Sequence, residues 1–281
     1  MIVFMSNLLK AGVTSGKGSE CMKSVENNGT VHKKAKAFVG TSGFVYKHWA
    51  DGVFYPRKLP QKEWLEFYAT HFNTVELNVA FYRLPSEDVF KSWYRRTPGD
   101  FSFALKGSRF ITHVKRLKDC DESLKLYFKR ARLLREKLSI VLWQLPPRFK
   151  KDIPRLRNFV RALKGYRSVR HAFEFRDVTW FDAEVFELLH EADKTLDVAV
   201  CMADWPRHAV KIPETASFIY LRRHGPEGDG LYTGCYPKGE LQKDARKIKK
   251  WLSEGKDVYI YFNNDANGWA VKNALDVRKL L

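Results

Sequence analysis

Short apolar runs alternate with segments of helical periodicity along most of this 281-residue chain. Eight such runs follow residue 36, each of four or five residues. The predicted strands are Phe38–Thr41, Thr74–Asn78, Ser102–Lys106, Ile140–Gln144, Ala172–Arg176, Val198–Met202, Phe218–Arg222 and Val258–Phe262. Strands that alternate with helices form parallel sheets, and eight units in about 245 residues are enough to close a barrel.

Amphipathic helices are predicted between these strands. In the segment Asp121–Lys137, for example, Leu124, Phe128, Ala131 and Leu134 recur at helical spacing. The predicted helices are Gln61–His71, Ser86–Arg96, Asp121–Lys137, Asp152–Leu163, Asp182–Lys194, Glu240–Glu254 and Ala266–Leu280. We therefore expect an α/β fold in which residues 37–281 form a single (β/α)8 barrel of the TIM type. Residues 1–36, rich in Gly, Ser, Lys and Asn, are expected to form a flexible N-terminal extension.

Positive charge is concentrated in one part of the chain. The formal net charge is +18, and the segment from Phe101 to Arg170 alone contains 20 Lys and Arg against 5 Asp and Glu. A field of this sign favours polyanions, because each phosphate contact releases counterions. The alternative is a solvated helical face with no particular partner. The partners that this charge predicts are nucleic acid or a phosphorylated sugar.

The cysteines and the hydropathy pattern predict a cytoplasmic protein. Cys21, Cys120, Cys201 and Cys235 lie far apart with no CxxC pair, which argues against a disulfide framework and fits a reducing compartment. There is no run of 18 apolar residues, so no membrane span and no membrane partner are expected.

Polar residues end the predicted strands at the edge where barrel enzymes hold their active sites. Side chains of a barrel strand alternate between interior and exterior. In the second strand, the apolar residues Val75 and Leu77 are assigned to the face that packs against the helices. Glu76 and Asn78 therefore point into the barrel. The same reasoning turns inward Lys106, Gln144, Glu174, Arg176, Arg222 and His224. In the sixth strand, Ala199 and Cys201 are assigned outward, which directs Asp204 inward.

These residues predict a functional site at the strand ends. Burying an isolated charge is costly unless the charge is paired or faces a solvent-filled site. The candidate catalytic residues are Glu76, Lys106, Glu174 and Asp204. Glu174 is the expected general base with Glu76 or Asp204 as its partner, and Lys106 would neutralise developing charge. The candidate substrate-binding residues are Asn78, Tyr82, His113, Gln144, Arg176, Arg222, His224, Asn263 and Asn264. Arg176 and Arg222 would hold phosphate oxygens by their fork geometry.

A cofactor is not identified by any motif. A divalent metal is conceivable on the carboxylates and histidines of this rim: Glu76, His113, Glu174, Asp204 and His224. No HxH, HExxH or DxH motif accompanies them, however, so a metal is not favoured.

Structural explanations remain open for several of these residues. Glu174 and Arg176 share a face and would neutralise one another, and Lys106 could pair with a carboxylate in the same way. Gln144 could satisfy the backbone of the following loop. The run Asn263-Asn264-Asp265 could serve as a helix N-cap.

Several segments of the chain resemble the domain-of-unknown-function 72 family, also called YecE-like. The matching segments run from Phe38 to about Leu275 in order and leave residues 1–36 outside. They are Gly40–Trp49, Phe54–Pro56, His71–Asn78, Phe81–Pro85, Ile111–His113, Gln144–Pro147, Phe173–Arg176, His224–Gly225 and Tyr261–Asp265. The resemblance implies a (β/α)8 barrel and assigns no activity, although family members are compared with sugar isomerases and endonuclease IV on fold alone.

Three functions are compatible with these features. The first is an enzyme that acts on a phosphate-bearing ligand at the strand-end rim, including phosphodiester hydrolysis. The second is a sugar isomerase or epimerase, which needs an acid–base pair next to adjacent carbons. The third is a non-catalytic nucleic-acid-binding barrel, in which loop aromatics would stack on bases while Lys and Arg contact phosphates.

Overall fold

Parallel strands form the centre of the protein, which a computed structural model describes for residues 34–204, 211–226 and 230–281. The predicted flexible extension falls largely on residues 1–33, outside the described residues. The strands are β1 (Ala37–Thr41), β2 (Thr74–Leu77), β3 (Ser102–Lys106), β4 (Leu138–Gln144), β5 (Arg170–Glu174), β6 (Val198–Val200), β7 (Met202–Ala203), β8 (Phe218–Arg223) and β9 (Asp257–Phe262). Each of the eight predicted strands is found, and the sixth is divided into β6 and β7.

Two parallel sheets complete the ring of strands. Their orders are β1-β9-β8-β7 and β2-β3-β4-β5-β6. Cys201 lies between β6 and β7, and its amide donates to Phe173 O on β5 across 2.8 Å. At the other seam, the amide of Gly43 donates to Glu76 O across 2.7 Å. A Cβ on Gly40 would lie 2.4 Å from Thr74 O, so only glycine lets β1 approach β2 this closely.

Helices cover the outside of the strands. The α-helices are α1 (Trp64–His71), α2 (Val79–Tyr82), α3 (Glu87–Arg95), α4 (Asp121–Ala131), α5 (Ile153–Leu163), α6 (Ala183–Leu196), α7 (Lys238–Ser253) and α8 (Trp269–Leu280). The expected helix Asp121–Lys137 is shorter than predicted, because six residues of 3-10 structure with a left-handed Arg135 (φ 51°) follow Ala131. None of the helices in the described ranges is long and apolar enough to cross a membrane.

Two apolar layers lie on opposite faces of the strands. The interior combines small and aliphatic side chains, such as Ala104, Leu142 and Ala172, with aromatic side chains such as Phe218. The layer under the helices is larger and includes both outward residues of β2 and the aromatic residues of β4 and β5. This alternation confirms the inward assignment for the second, third, fifth and seventh predicted strands.

The assignment for the sixth strand was wrong. Ala199 and Cys201 lie in the interior layer, whereas Val198 and Val200 pack under the helices. A parallel strand that is buried on both faces is apolar throughout, so its sequence carries no phase signal.

Candidate functional site

Two carboxylates and one guanidinium form the centre of the candidate site. Glu174 is the last residue of β5, Glu76 and Arg222 each lie one residue before the end of β2 and β8, and all three side chains are fully buried. Arg222 Nη2 lies 2.7 Å from Glu76 Oε1, and Arg222 Nη1 lies 2.6 Å from Glu174 Oε2. One arginine therefore pairs with two carboxylates that the chain places on separate strands.

Neutral hydroxyls complete the shell around Glu76. Tyr220 Oη donates to Glu76 Oε2 across 2.6 Å, and Ser42 Oγ donates to Oε1. Burial, followed by the charge of Glu76, raises the pKa of Tyr220 well above its usual value. The phenol therefore stays protonated and acts as a donor to the carboxylate.

Glu174 is held in its ionised form by two arginines. Arg176 Nε lies 2.7 Å from Glu174 Oε1, in addition to the contact with Arg222. Burial alone would raise the pKa of Glu174, but the charges of Arg222 and Arg176 outweigh it and hold the pKa far below its usual value. The sequence left open that Glu174 and Arg176 neutralise one another, and the structure contains this ion pair.

Asp204 and His224 form a second cluster beside the first. The Asp204 carboxylate accepts from the His224 amide across 2.8 Å and lies 3.2 Å from His224 Nδ1. The Tyr236 hydroxyl also donates to Asp204. His224 Nε2 lies 3.0 Å from Arg222 Nη1, where an unprotonated nitrogen accepts the hydrogen bond. Asp204 thus joins the predicted residues, although the alternation assumed for the sixth strand was incorrect.

Protonation of His224 is disfavoured by its surroundings. Burial is the main cause that lowers the pKa of His224, and the charges of Arg222 and Arg176 act in the same direction. The hydrogen bond to Asp204 opposes them. His224 is therefore a neutral imidazole whose Nδ1 donates to Asp204.

Lys106 ends β3 and differs from the other cations of the centre. Its Nζ lies 4.2 Å from the centroid of the Phe81 ring. Across the described ranges it makes no hydrogen bond or ion pair with a side chain or a carbonyl. Burial, reinforced by the charge of Arg222, lowers the pKa of Lys106 to about 8.

His113 lies in a single turn of π-helix, Phe110–Val114, after β3. Its ring packs edge-on against Phe81 with centroids 5.0 Å apart. Burial, followed by the charges of Lys106, Arg109, Arg176 and Arg116, lowers the pKa of His113 to about 4. The imidazole is therefore neutral in a positive field.

Three other predicted residues lie at the carboxyl ends of strands or just beyond them. Asn78 Nδ2 donates to Ser42 Oγ across 2.9 Å. Gln144 ends β4 and is buried, and its Oε1 has no hydrogen-bond donor within the described part of the chain. Tyr82 ends α2 with 78% of its surface exposed.

Asn263 and Asn264 directly follow β9, and they make hydrogen bonds to the scaffold. The backbone N–H of Asn263 donates to Arg223 O across 2.6 Å, which extends the pairing of β8 with β9. Asn264 Nδ2 donates to Gly234 O across 2.8 Å and to Asn273 Oδ1 across 2.9 Å, and so connects a loop to α8. The N-cap of α8 is Gly268, without a side-chain cap. The proposed capping role of these asparagines was therefore wrong.

The rim carries carboxylates and a histidine, residue types that ligate divalent metals. Among the residues that the structure describes, no three His, Cys, Asp or Glu side chains are grouped as metal ligands. Glu76 and Glu174 already accept hydrogen bonds on all four of their oxygens.

Two residues of the site were missed from the sequence. Ser42 and Tyr220 both contact Glu76, and Ser42 also accepts from Arg222 Nη2 across 3.0 Å. Tyr220 lies two residues before Arg222 in β8, so the alternation of the strand places both inward. Ser42 directly follows β1, and this strand contains no charged residue that would mark its end as part of a site.

Several known proteins are similar to this chain in sequence. The model of the family described as "Protein of unknown function DUF72" matches residues 38–281. The chain is 26% identical to the UPF0759 protein YunF of Bacillus subtilis over 273 residues, covering 87% of this chain and 94% of YunF. It is 35% identical to YecE of Escherichia coli K12 over 102 residues, covering 36% of this chain and 38% of YecE.

Solved structures are similar over the same region. The crystal structure of a DUF72 family protein from Thermotoga maritima has a TM-score of 0.74 and 30% identity, and covers 87% of this chain and 98% of that chain. A DUF72 family protein from Enterococcus faecalis has a TM-score of 0.71 at 21% identity, covers 87% of this chain and 95% of that chain, and supports the fold alone. The family model spans most of the sequence, so the chain belongs to the DUF72 family.

Proposed function

We propose that the strand-end rim binds a phosphate-bearing ligand, for which a phosphorylated sugar is the best fit. The observation that carries this proposal is the field at His113. Four cations act on this imidazole: Lys106, Arg109, Arg116 and Arg176. A positive field at a partly desolvated position favours an anion with several acceptor oxygens.

The charge balance at the centre supports the same proposal. Lys106, Arg176 and Arg222 carry three positive charges, whereas Glu76 and Glu174 carry two negative charges. Asp204 belongs to the second cluster, where Arg223 lies 3.8 Å from it and also pairs with Asp244. An anionic ligand would neutralise the remaining charge of the centre.

Arg222 does not suit the phosphate contact that its sequence position suggested. Its Nη1 donates to Glu174, and its Nη2 donates to Glu76 and Ser42. Lys106 and Arg176, which retain some exposure, are therefore the groups we assign to the phosphate. Arg222 would keep the carboxylates in place.

Unpartnered acceptors favour a ligand that carries hydroxyl groups. Gln144 Oε1 and Asn78 Oδ1 are buried, and no donor in the described ranges reaches them. A buried acceptor without a partner costs about 1–3 kcal/mol, and a sugar hydroxyl would supply the missing donor. A phosphorylated sugar is a ligand that carries both phosphate and hydroxyl groups.

Phosphodiester hydrolysis is less well supported than reaction at the sugar. That prediction used Glu174 as a general base, but two arginines hold its pKa far below the usual range. A carboxylate with so low a proton affinity is a weak base near neutral pH. Glu174 is better suited to balance positive charge.

Binding of single-stranded nucleic acid is a second candidate, supported by exposed aromatics beside the basic region. Tyr82 is 78% exposed and Phe110 is 51% exposed, and both follow strands whose ends line the rim. Aromatic platforms with nearby Lys and Arg bind single strands without sequence preference.

Calorimetry with matched ligands tests the proposal. We expect ribose 5-phosphate to bind and ribose to bind at least about tenfold more weakly, since a charge-assisted contact contributes about 1.5–3 kcal/mol. Lys106→Met should weaken ribose 5-phosphate binding by a similar factor, whereas Lys91→Met on the exposed face of α3 should not. Equal affinity for ribose and ribose 5-phosphate would overturn the proposal. Salt-dependent binding of an oligonucleotide, without sugar phosphate binding, would support the second candidate.

A further inference from the structure

Lys137, which is buried, and Lys106, which is partly exposed, differ in how their amino groups are satisfied. Lys137 Nζ lies 4.6 Å from the Tyr94 ring centroid and donates to Tyr94 O, Thr97 O and Thr97 Oγ1 at 2.7, 2.7 and 3.1 Å. Lys106 Nζ packs on an aromatic ring in the same way but makes no such bond in the described ranges. An ammonium carries three donors: those of Lys137 have matching acceptors, whereas those of Lys106 have none in the described ranges, so the Lys106 ammonium gives up its proton more readily.

The position of Lys106 gives its amine access to a ligand. It is the last residue of β3, at the carboxyl end where barrel sites form, and its side chain is partly exposed. Burial and the charge of Arg222 disfavour the ammonium, while Glu174 and Glu76 act in the opposite direction. A neutral amine is a nucleophile, and the nearby carboxylates would stabilise a cation formed on it.

We infer that Lys106 is a nucleophilic lysine that forms an imine with the carbonyl carbon of an aldose phosphate or ketose phosphate. The class of ligand rests on the function proposed above, whereas the amine chemistry rests on the surroundings of Lys106. The established roles of lysine in proteins include this reaction with carbonyl substrates.

The bond changes balance without a further reactant. The Nζ lone pair forms a bond to the carbonyl carbon, and the π electrons of the carbonyl move to its oxygen, which takes one proton from the attacking nitrogen. Loss of one proton from nitrogen and of hydroxide from carbon then releases water and leaves the C=N bond. Protonation of this nitrogen restores a positive charge beside Glu174 and Glu76.

Reductive trapping on the full chain tests the inference. The protein is incubated with dihydroxyacetone phosphate and sodium cyanoborohydride, which supplies hydride to the C=N bond, and the modified lysine is located by peptide mass spectrometry. We expect one adduct per chain, on Lys106, formed roughly ten- to hundredfold faster than at ordinary lysines near pH 7.5, since a lysine of usual pKa is almost wholly protonated there. Lys106→Arg should abolish this adduct, whereas Lys115→Arg in the following loop should retain it. The unmodified peptide that contains Lys137 is an internal control.

Parallel arms separate this inference from the proposed function. Calorimetry of the wild-type protein with ribose 5-phosphate measures the phosphate contact without any trapped adduct, whereas Lys106→Arg is assessed only by the loss of the trapped adduct. Phosphate binding with adducts spread evenly over surface lysines, or an unchanged adduct in Lys106→Arg, would overturn the inference alone. Trapping of dihydroxyacetone at Lys106 as fast as its phosphate would support the inference and contradict the phosphate proposal.

Discussion

Arg222 donates from Nη1 to Glu174 Oε2 across 2.6 Å, although 48 residues separate the two in the chain. The same guanidinium reaches Glu76 on β2, so charges from three strands meet inside the barrel. Neither carboxylate is exposed to solvent, and isolated buried charges of this kind are costly. The arginine therefore makes it feasible for the scaffold to hold two ionised carboxylates at its rim.

Replacement of Arg222 should destabilise the fold strongly. Arg222→Met leaves Glu76 and Glu174 without their shared partner, and breaking a buried ion pair costs about 3–5 kcal/mol. Urea unfolding at pH 7 measures this loss. Glu87→Gln, which removes an exposed pair with Lys91, should change the free energy of unfolding by less than about 1 kcal/mol. A loss below about 1 kcal/mol for Arg222→Met would show that the ion pairs contribute little to the fold.

Glu174 should contribute to loss of stability in acid. Its pKa is lower in the folded protein than in the unfolded chain, so its stabilisation is complete above about pH 5 and declines as the pH falls. In Glu174→Gln, we expect a weaker dependence of the unfolding free energy on pH between about pH 5 and pH 2. Unfolding curves at a series of pH values measure the slope. The control is Glu122→Gln on the exposed face of α4, and an identical slope in Glu174→Gln and wild type would contradict the assignment.

Gly107 should be intolerant of a side chain. A Cβ at this position would lie 2.3 Å from the ring of Trp143, which is fully buried. Gly107→Ala should therefore destabilise the protein by about 1–3 kcal/mol and displace the neighbouring Lys106. Gly239→Ala in α7 meets no atom within 4 Å and should be neutral or slightly stabilising. Thermal unfolding compares the two variants, and equal melting temperatures would refute the proposed contact.

Tyr82 should affect ligand binding without affecting the fold. With 78% of its surface exposed, Tyr82→Ala should change stability by less than about 0.5 kcal/mol. If Tyr82 stacks on a nucleic-acid base, this variant should lower oligonucleotide affinity by about 1–3 kcal/mol. Fluorescence anisotropy with a labelled oligonucleotide provides the measurement. Unchanged affinity would remove Tyr82 from the binding surface.

His224 illustrates how far the sequence reaches into the site. Alternation along β8 predicts correctly that Arg222 and His224 share the inward face, because side chains two residues apart along a barrel strand point to the same side. The partner of His224, Asp204, follows a strand whose two faces are both apolar. From the sequence, Asp204 could be placed at the same rim as His224, but the contact between them could not be predicted.

The sequence by itself determined the order of strands and helices, the barrel and the set of polar strand ends. These features follow from local periodicity, which each segment carries in its own residues. Only the tertiary structure decided that Arg222 is shared by Glu76 and Glu174, that Ser42 and Tyr220 complete the centre, and that no described residue hydrogen-bonds to Lys106 Nζ. Such pairings depend on distances between strands that are remote in the chain, and periodicity does not encode those distances.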